Sequence, residues 1–277
     1  MRLDAHQHFW HYDAREYPWI GDDVLRRDFL PSDLERELAA NGFSGSIAVQ
    51  ARQTVAESRW LLELAAESET IKGVVGWVEL AAADVAETLA DLARYPKFVG
   101  VRHVVQDEPD EWFMLRPDFL RGLAWLAEFD LTYDLLVFSH QLRAAAEVAA
   151  RFPRQRFVLD HVAKPAIKDG IISPWREDLL ELARHPNVAC KLSGMVTEAR
   201  RSGWRKSDFR AYLDAAWAAF GEDRLMFGSD WPVCLLAADY GRVTDLVEDY
   251  LAQFSEATRA KVLGDNAAQF YRLPELT

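Results

Sequence analysis

Positive charge is scarce in this chain. Lys and Arg number 32 against 44 Asp and Glu over 277 residues, a formal net charge of -12. Such a surface repels nucleic acid and anionic membrane, which argues against both as partners. Cysteine is scarcer still, with only Cys190 and Cys234, too few to imply a disulfide framework. No stretch approaches the run of about eighteen apolar residues that a membrane span needs, and no basic segment leads into an apolar one near the N-terminus. These features predict a soluble, cytoplasmic protein. Phosphate-cradling glycine loops are also missing. No Gly-x-Gly-x-x-Gly and no Walker pattern follows any strand-like run, so the common nucleotide-binding signatures do not apply.

What is present is a repeated alternation. Eight short runs rich in β-branched and aromatic residues predict strands at 2–9, 45–51, 72–80, 98–105, 131–138, 156–163, 188–195 and 224–231. Most are nearly continuous in Val, Ile, Leu and Phe, the pattern of parallel strands buried on both faces. Amphipathic segments lie between them, at 32–42, 117–129, 140–153, 174–186 and 207–221. Ser32 and Ser207 are expected to cap two of these, Gly42 and Gly221 to end them, and Pro117 to sit in a first turn. No linker or low-complexity stretch divides the chain, so one domain over 1–277 is expected. Eight βα units predict an α/β fold, a (β/α)8 TIM barrel. The rival is an open doubly wound sheet. In a closed barrel, however, the first and last strands are neighbours, and the polar residues at their ends can meet.

Those polar residues carry the chemistry. The stretch "RLDAHQHFW" (2–10) places His6 and His8 two apart, hence on one strand face, with Asp4 expected deeper on the same face. Two such imidazoles can chelate a divalent metal or donate two hydrogen bonds to one oxygen, or they are a pair of solvated histidines. The sixth run ends "LDHVAKP", bringing His161 and Lys164 to its mouth with Asp160 pointing away from His161. The seventh gives "CKLSG", where Lys191 and Ser193 share a face. The eighth ends "FGSDWP", supplying Asp230. The fourth contains "GVRHVV", with Arg102 and His103 on opposite faces. Singly, each has a mundane reading as a turn residue or a solvated charge. Together they fall at the C-terminal strand ends, where barrel active sites lie.

"DAHQHFW", "GVRHVVQDEPD", "LDHVAKP", "CKLSGM", "MFGSDWPV" and "VLGDNAAQFYRL", in this order across nearly the whole chain, resemble the amidohydrolase superfamily. More narrowly they resemble its sugar-lactone hydrolase branch, which acts on L-fuconolactone and L-rhamnonolactone. The sequence departs from the metal-rich members, which carry a fourth-strand lysine or glutamate and a fifth-strand histidine. Here the fifth run, "LTYDLLVF", has no histidine at its end, and His140 is expected to open the following helix. A two-metal site is therefore not expected. One Zn²⁺ suits the ligands His6, His8, His161 and Asp230, although the resemblance implies that such lactonases often work without a required metal.

The expected reaction is hydrolysis of an aldonolactone to the aldonic acid. Asp230 would activate water, while His6, His8 and His161 polarise the carbonyl, as donors or as ligands of a metal. Trp10, Trp112 and Trp231, near strand ends, are candidates to pack on the sugar ring, against ordinary core or loop packing. Arg102, His103, Lys164 and Lys191 are candidates to bind hydroxyls or the product carboxylate, with a structural role inside the barrel as the alternative for Lys191. Gln50 and Arg52 are weaker candidates. Two other enzyme readings are carried forward: a zinc-dependent decarboxylase of an aromatic acid, and a hydrolase of a dicarboxylate lactone, which would ask for several arginines at the mouth. A third is a non-catalytic barrel used as a binding module.

Overall fold

The computed structural model of the protein describes residues 1–273. Eight parallel strands follow one another around a single sheet in sequence order. They are β1 (Leu3–Gln7), β2 (Gly45–Val49), β3 (Ile71–Gly76), β4 (Phe98–His103), β5 (Thr132–Leu135), β6 (Phe157–Leu159), β7 (Val188–Leu192) and β8 (Leu225–Phe227). Helices form the outer layer: α1 (Pro31–Ala40), α2 (Val55–Glu67), α3 (Val85–Leu92), α4 (Pro117–Glu128), α5 (Leu142–Arg151), α6 (Trp175–Ala183), the single turn α7 (Met195–Glu198), α8 (Lys206–Phe220) and α9 (Tyr240–Leu251). Two short helices, α10 (Glu256–Ala260) and α11 (Asn266–Phe270), end the described chain. The expected TIM barrel is what forms. Nearly every strand residue is buried, because helices cover one face and the barrel interior fills the other.

Two cap expectations fail for a shared reason. α1 starts at Pro31, whose fixed φ suits a first helical position, so Ser32 lies inside the helix. The Asp33 carboxylate accepts the Leu30 N–H at 3.1 Å instead. In α8, Asp208 accepts the Arg205 N–H at 2.9 Å, and Ser207 is again one position too late.

The seam that closes the barrel runs through its C-terminal mouth. Gln7 bridges Trp231 in parallel sense. The His8 N–H donates to the Trp231 carbonyl at 2.7 Å, and the Asp230 N–H donates to the His6 carbonyl at 2.8 Å. Gly228 permits this approach, since a Cβ there would lie 2.7 Å from that of His6. At the opposite end, Ala267 and Tyr271 join the interior cluster of Leu3, Ala5, Ile47, Val49, Val75 and Met226 and plug the barrel floor.

Candidate active site

β1 carries a register shift between Asp4 and Gln7, and this corrects the expectation for Asp4. Leu3 and Ala5 belong to the barrel interior, and His6 also points inward, so two successive residues face the same way, as at a bulge. Asp4 faces outward. It accepts from Ser229 Oγ at 2.6 Å, Ser229 N at 2.9 Å and Tyr240 Oη of α9 at 3.0 Å. Burial pushes its carboxyl up to about 6 against those hydrogen bonds. Asp4 thus ties β1 to the β8 loop rather than lining the site.

His6, His8, His161 and Asp230 do converge. Asp230 Oδ1 lies 3.5 Å from His8 Nε2 and 3.9 Å from the Nε2 atoms of both His6 and His161. The Nε2 atoms of His6 and His8 are 3.2 Å apart. All four residues are buried. His8 Nδ1 faces the Val49 carbonyl at 2.8 Å and His161 Nδ1 faces Ser193 Oγ at 2.9 Å. Burial lowers the pKa of all three imidazoles, to about 4 for His161, so they are neutral at pH 7. Burial alone would raise Asp230, but His161 and the His8 hydrogen bond outweigh it and hold the carboxylate well below its usual range.

His161 reaches this cluster by an unusual route. β6 stops at Leu159, and His161, Val162, Ala163 and Lys164 all take positive φ, between 50° and 59°. Strand alternation therefore ends before the pair Asp160–His161. This corrects the expectation that Asp160 points away. Asp160 turns into the barrel below the site, where Arg102 Nη1 donates to it at 3.1 Å and Lys191 Nζ lies at 3.0 Å. Burial would raise its pKa, but Lys191, His6 and Arg102 hold it well below the carboxylate range. Gly194, at φ 60°, clears the His161 ring, which a Cβ there would meet at 2.4 Å.

The other candidates divide. Lys191 is fully buried beneath the histidines. It donates to Asp134 Oδ2 at 2.5 Å and lies 3.1 Å from His6 Nδ1, which is its structural alternative, not a substrate contact. Arg102 faces inward, 3.3 Å from His6 Nε2, and also donates to the Gln50 carbonyl. His103 faces the opposite way, as expected of neighbours on a strand. It stacks on Phe113, with Nε2 2.7 Å from Glu108 Oε1, and so lies outside the cavity lining rather than against a sugar. Trp10 and Trp231 are buried and pack around Phe29; they are core, not ring platforms. Trp112 is exposed but stands outside the cavity wall.

Above the cluster opens a cavity of ≈ 690 Å³. His8, Arg102, His161, Lys164 and Asp230 line its depth, and Trp19, Arg52, Arg201 and Glu198 belong to its walls. Sequence reasoning missed Trp19, Arg201 and Glu198. They stand in long connections without periodicity, where the only available signal was that these loops follow β1 and β7. The cavity is lined by three arginines, and each is matched. Arg52 pairs with Glu16, Arg201 with Asp22 at 2.8 Å, and Arg102 with Asp160.

A metal has suitable ligands here. One ligand atom each from His6, His161 and Asp230 lies within 4.8 Å of the others. Nitrogens 3.2 Å apart match the separation that two Zn–N bonds of about 2.0–2.1 Å subtend in a tetrahedron. Nδ1 protons directed at Val49 and Ser193 would leave Nε2 lone pairs for a ligand. The Arg102 guanidinium beside His6 Nε2 acts against a bound cation.

Comparisons with known proteins agree with this architecture. The chain is 49% identical to an L-fucono-1,5-lactonase of Burkholderia multivorans, covering 99% of this chain and 97% of that protein. It is 41% identical to an L-fucono-1,5-lactonase of Burkholderia ambifaria, covering 99% and 96%. A crystal structure of an amidohydrolase from Burkholderia multivorans with bound zinc superposes with a TM-score of 0.95 at 48% identity, covering 99% of this chain and all of that one. The sequence pattern of the amidohydrolase family matches residues 3–273, and the chain belongs to that family.

Proposed function

We propose that this enzyme hydrolyses an uncharged sugar lactone, of the L-fucono-1,5-lactone kind, to the aldonic acid. The observation that carries this reading is the convergence of Asp230 with three neutral imidazoles under a cavity whose arginines are each matched by a carboxylate. A dianionic lactone would seek unpaired guanidinium groups, whereas a neutral polyol is served by paired charges that accept and donate hydrogen bonds. The names of the full-length relatives point the same way.

Asp230 takes a proton from a water placed against the lactone carbonyl. The hydroxide oxygen bonds to the carbonyl carbon, and the π electrons move onto the carbonyl oxygen. The Arg102 guanidinium at the cavity floor is available as a donor to that oxyanion, and His161 Nε2–H is a second where Ser193 Oγ donates to Nδ1. As the carbonyl reforms, the ring C–O bond breaks, and Asp230 returns the proton to the departing alkoxide. The products are a carboxylic acid, which ionises in solution, and a freed hydroxyl. A lactone alkoxide leaves more readily than an amine, so the demand on the electrophile is modest. His6, His8, His161 and Asp230 would hold a Zn²⁺ ion, which would supply Lewis-acid polarisation of the carbonyl.

A pH-indicator assay of the purified protein with L-fucono-, L-rhamnono-, L-galactono- and D-arabinono-lactones tests the reading. Acid release above the spontaneous rate is expected on at least one of them. If it survives a chelator, the side chains suffice; if it stops, the histidines serve as ligands of an essential ion. No release on any lactone, with carbon dioxide formed from an aromatic acid, would overturn the proposal in favour of a decarboxylase.

A further inference from the structure

Two charged groups of the cavity wall have no hydrogen-bond or ion-pair partner among the described residues. Among the described residues Arg52, Arg102 and Arg201 are ion-paired, and the Gln53 side-chain oxygen accepts the Val104 N–H at 2.8 Å. Lys164 and Glu198 also line the cavity but make no hydrogen bond or ion pair with the described residues through their side chains. The Lys164 ammonium stands 5.5 Å over the Phe138 ring. Glu198 ends α7, the single turn that follows Gly194 and β7. Lys164, Glu198 and Asp230 line the same cavity; burial raises the Glu198 carboxyl, Lys164 lowers it and Asp230 raises it further. A half-buried carboxylate and ammonium that do not meet each other leave hydrogen-bonding capacity to be met by water or by a ligand.

Resting on the lactone reading, we propose that Lys164 and Glu198 are the specificity-determining clamp for the substrate's ring hydroxyls. Glu198 accepts hydrogen bonds from hydroxyls on the face of the ring turned to β7, and Lys164 donates to a neighbouring hydroxyl oxygen. The two groups stand on the loops after β6 and β7, on the side of the cavity next to His161. They therefore fix which way the ring lies over Asp230 without touching the scissile bond. A ligand that suits both jaws carries adjacent donor and acceptor hydroxyls, as a polyhydroxylated lactone does and a plain ester does not.

Glu198→Ala and Lys164→Met would be assayed on L-fucono-1,5-lactone beside the wild type, with melting temperature as a check on folding. Hydrogen bonds to a charged partner predict a rise in KM of about ten- to a hundredfold for Glu198→Ala, with kcat within about threefold. Glu198→Gln, which keeps one acceptor oxygen and the side chain's shape, should fall between, and it replaces the alanine variant if that fails to fold. An unchanged KM, or a loss confined to kcat, overturns the clamp. Calorimetry with the non-hydrolysable lactam counterpart reads the same contacts without turnover. Weakening by at least about tenfold in Glu198→Ala supports the clamp, and equal or undetectable binding in wild type and variant overturns it. A wild type that binds the lactam but releases no acid from any lactone would instead refute the hydrolase reading alone.

Discussion

Asp230→Asn isolates the proton-transfer role of the carboxylate. Asp230 has φ 58°, a conformation that Asn tolerates better than most residues, and its backbone N–H bond to the His6 carbonyl is untouched. The substitution is nearly isosteric, so the three Nε2 atoms 3.5–3.9 Å from Oδ1 keep their neighbours. What disappears is the ability to accept a proton. A positioned general base contributes about 10²–10⁴ in rate, equivalent to about 2.7–5.5 kcal/mol of barrier. kcat on the best lactone should fall by that factor while the melting temperature moves little. Asp230→Ala is a poorer test, because alanine in the left-handed region adds a backbone penalty of about 1–2 kcal/mol. The assay is acid release at fixed buffer strength, run on chelator-treated and zinc-supplemented protein so that lost metal and lost base are distinguished. If Asp230→Asn retains more than about a tenth of the wild-type kcat, Asp230 is not the base and the mechanism fails.

Three further outcomes follow from the geometry. Lys191→Met removes the cation facing Asp134 and Asp160 in the barrel interior; leaving buried carboxylates unmatched should destabilise by about 3–5 kcal/mol, measured by urea unfolding, and adding Asp134→Asn should restore part of it. His161 binds a proton only below about pH 4 when folded, against 6.5 ordinarily, so the unfolded chain takes up more protons between those values. Stability is complete above pH 6.5 and falls as pH drops, by about 2 kcal/mol at pH 5, and His161→Asn in metal-free protein should flatten that part of the melting curve; an unchanged slope would contradict a buried neutral imidazole. Gly194→Ala places a Cβ 2.4 Å from His161 Nδ1 at φ 60°; a shift of the ring by about 1 Å should lower kcat/KM by about a hundredfold, and wild-type activity would show that the loop yields.

The strands were legible because burial on both faces writes an almost unbroken apolar run, and a run of that kind has no helical alternative of the same length. The histidines, Asp230 and Lys164 were legible because they end such runs. Alternation correctly set Arg102 and His103 on opposite faces. It could not say which face was inner, since a strand buried on both sides has no polar side to mark the barrel axis. Asp4 was misjudged because a register shift leaves no trace in residue type. The tryptophans show a different limit. Trp10 and Trp231 sit near strand ends, yet fill the space beneath the loops, while Trp19 reaches the cavity from a long connection held by its indole N–H bond to the Ala51 carbonyl at 3.0 Å. Loop residues at a mouth are placed by contacts between distant segments, which no local pattern encodes.

The turn at 161–164 is where local preference and the site conflict most. Four successive residues in the left-handed region, one of them the β-branched Val162, would cost about 1–2 kcal/mol each in an isolated chain. Glycine or asparagine would relieve much of that, yet the chain has His-Val-Ala-Lys. The surrounding structure supplies the compensation. Val162 and Ala163 are fully buried, the Trp175 indole N–H donates to the Val162 carbonyl at 2.7 Å, and Ser139 Oγ donates to the Ala163 carbonyl at 2.9 Å. Burial of about 1.5–3 kcal/mol for a valine and about 1 kcal/mol for each hydrogen bond are of the size needed. A continued strand would send Asp160 and His161 to opposite faces. The left-handed turn instead gives Asp160 to the charged interior, His161 to Asp230 and Lys164 to the cavity wall within five residues. A turn built for stability alone would favour glycine at these angles; this one keeps the side chains whose directions the site uses.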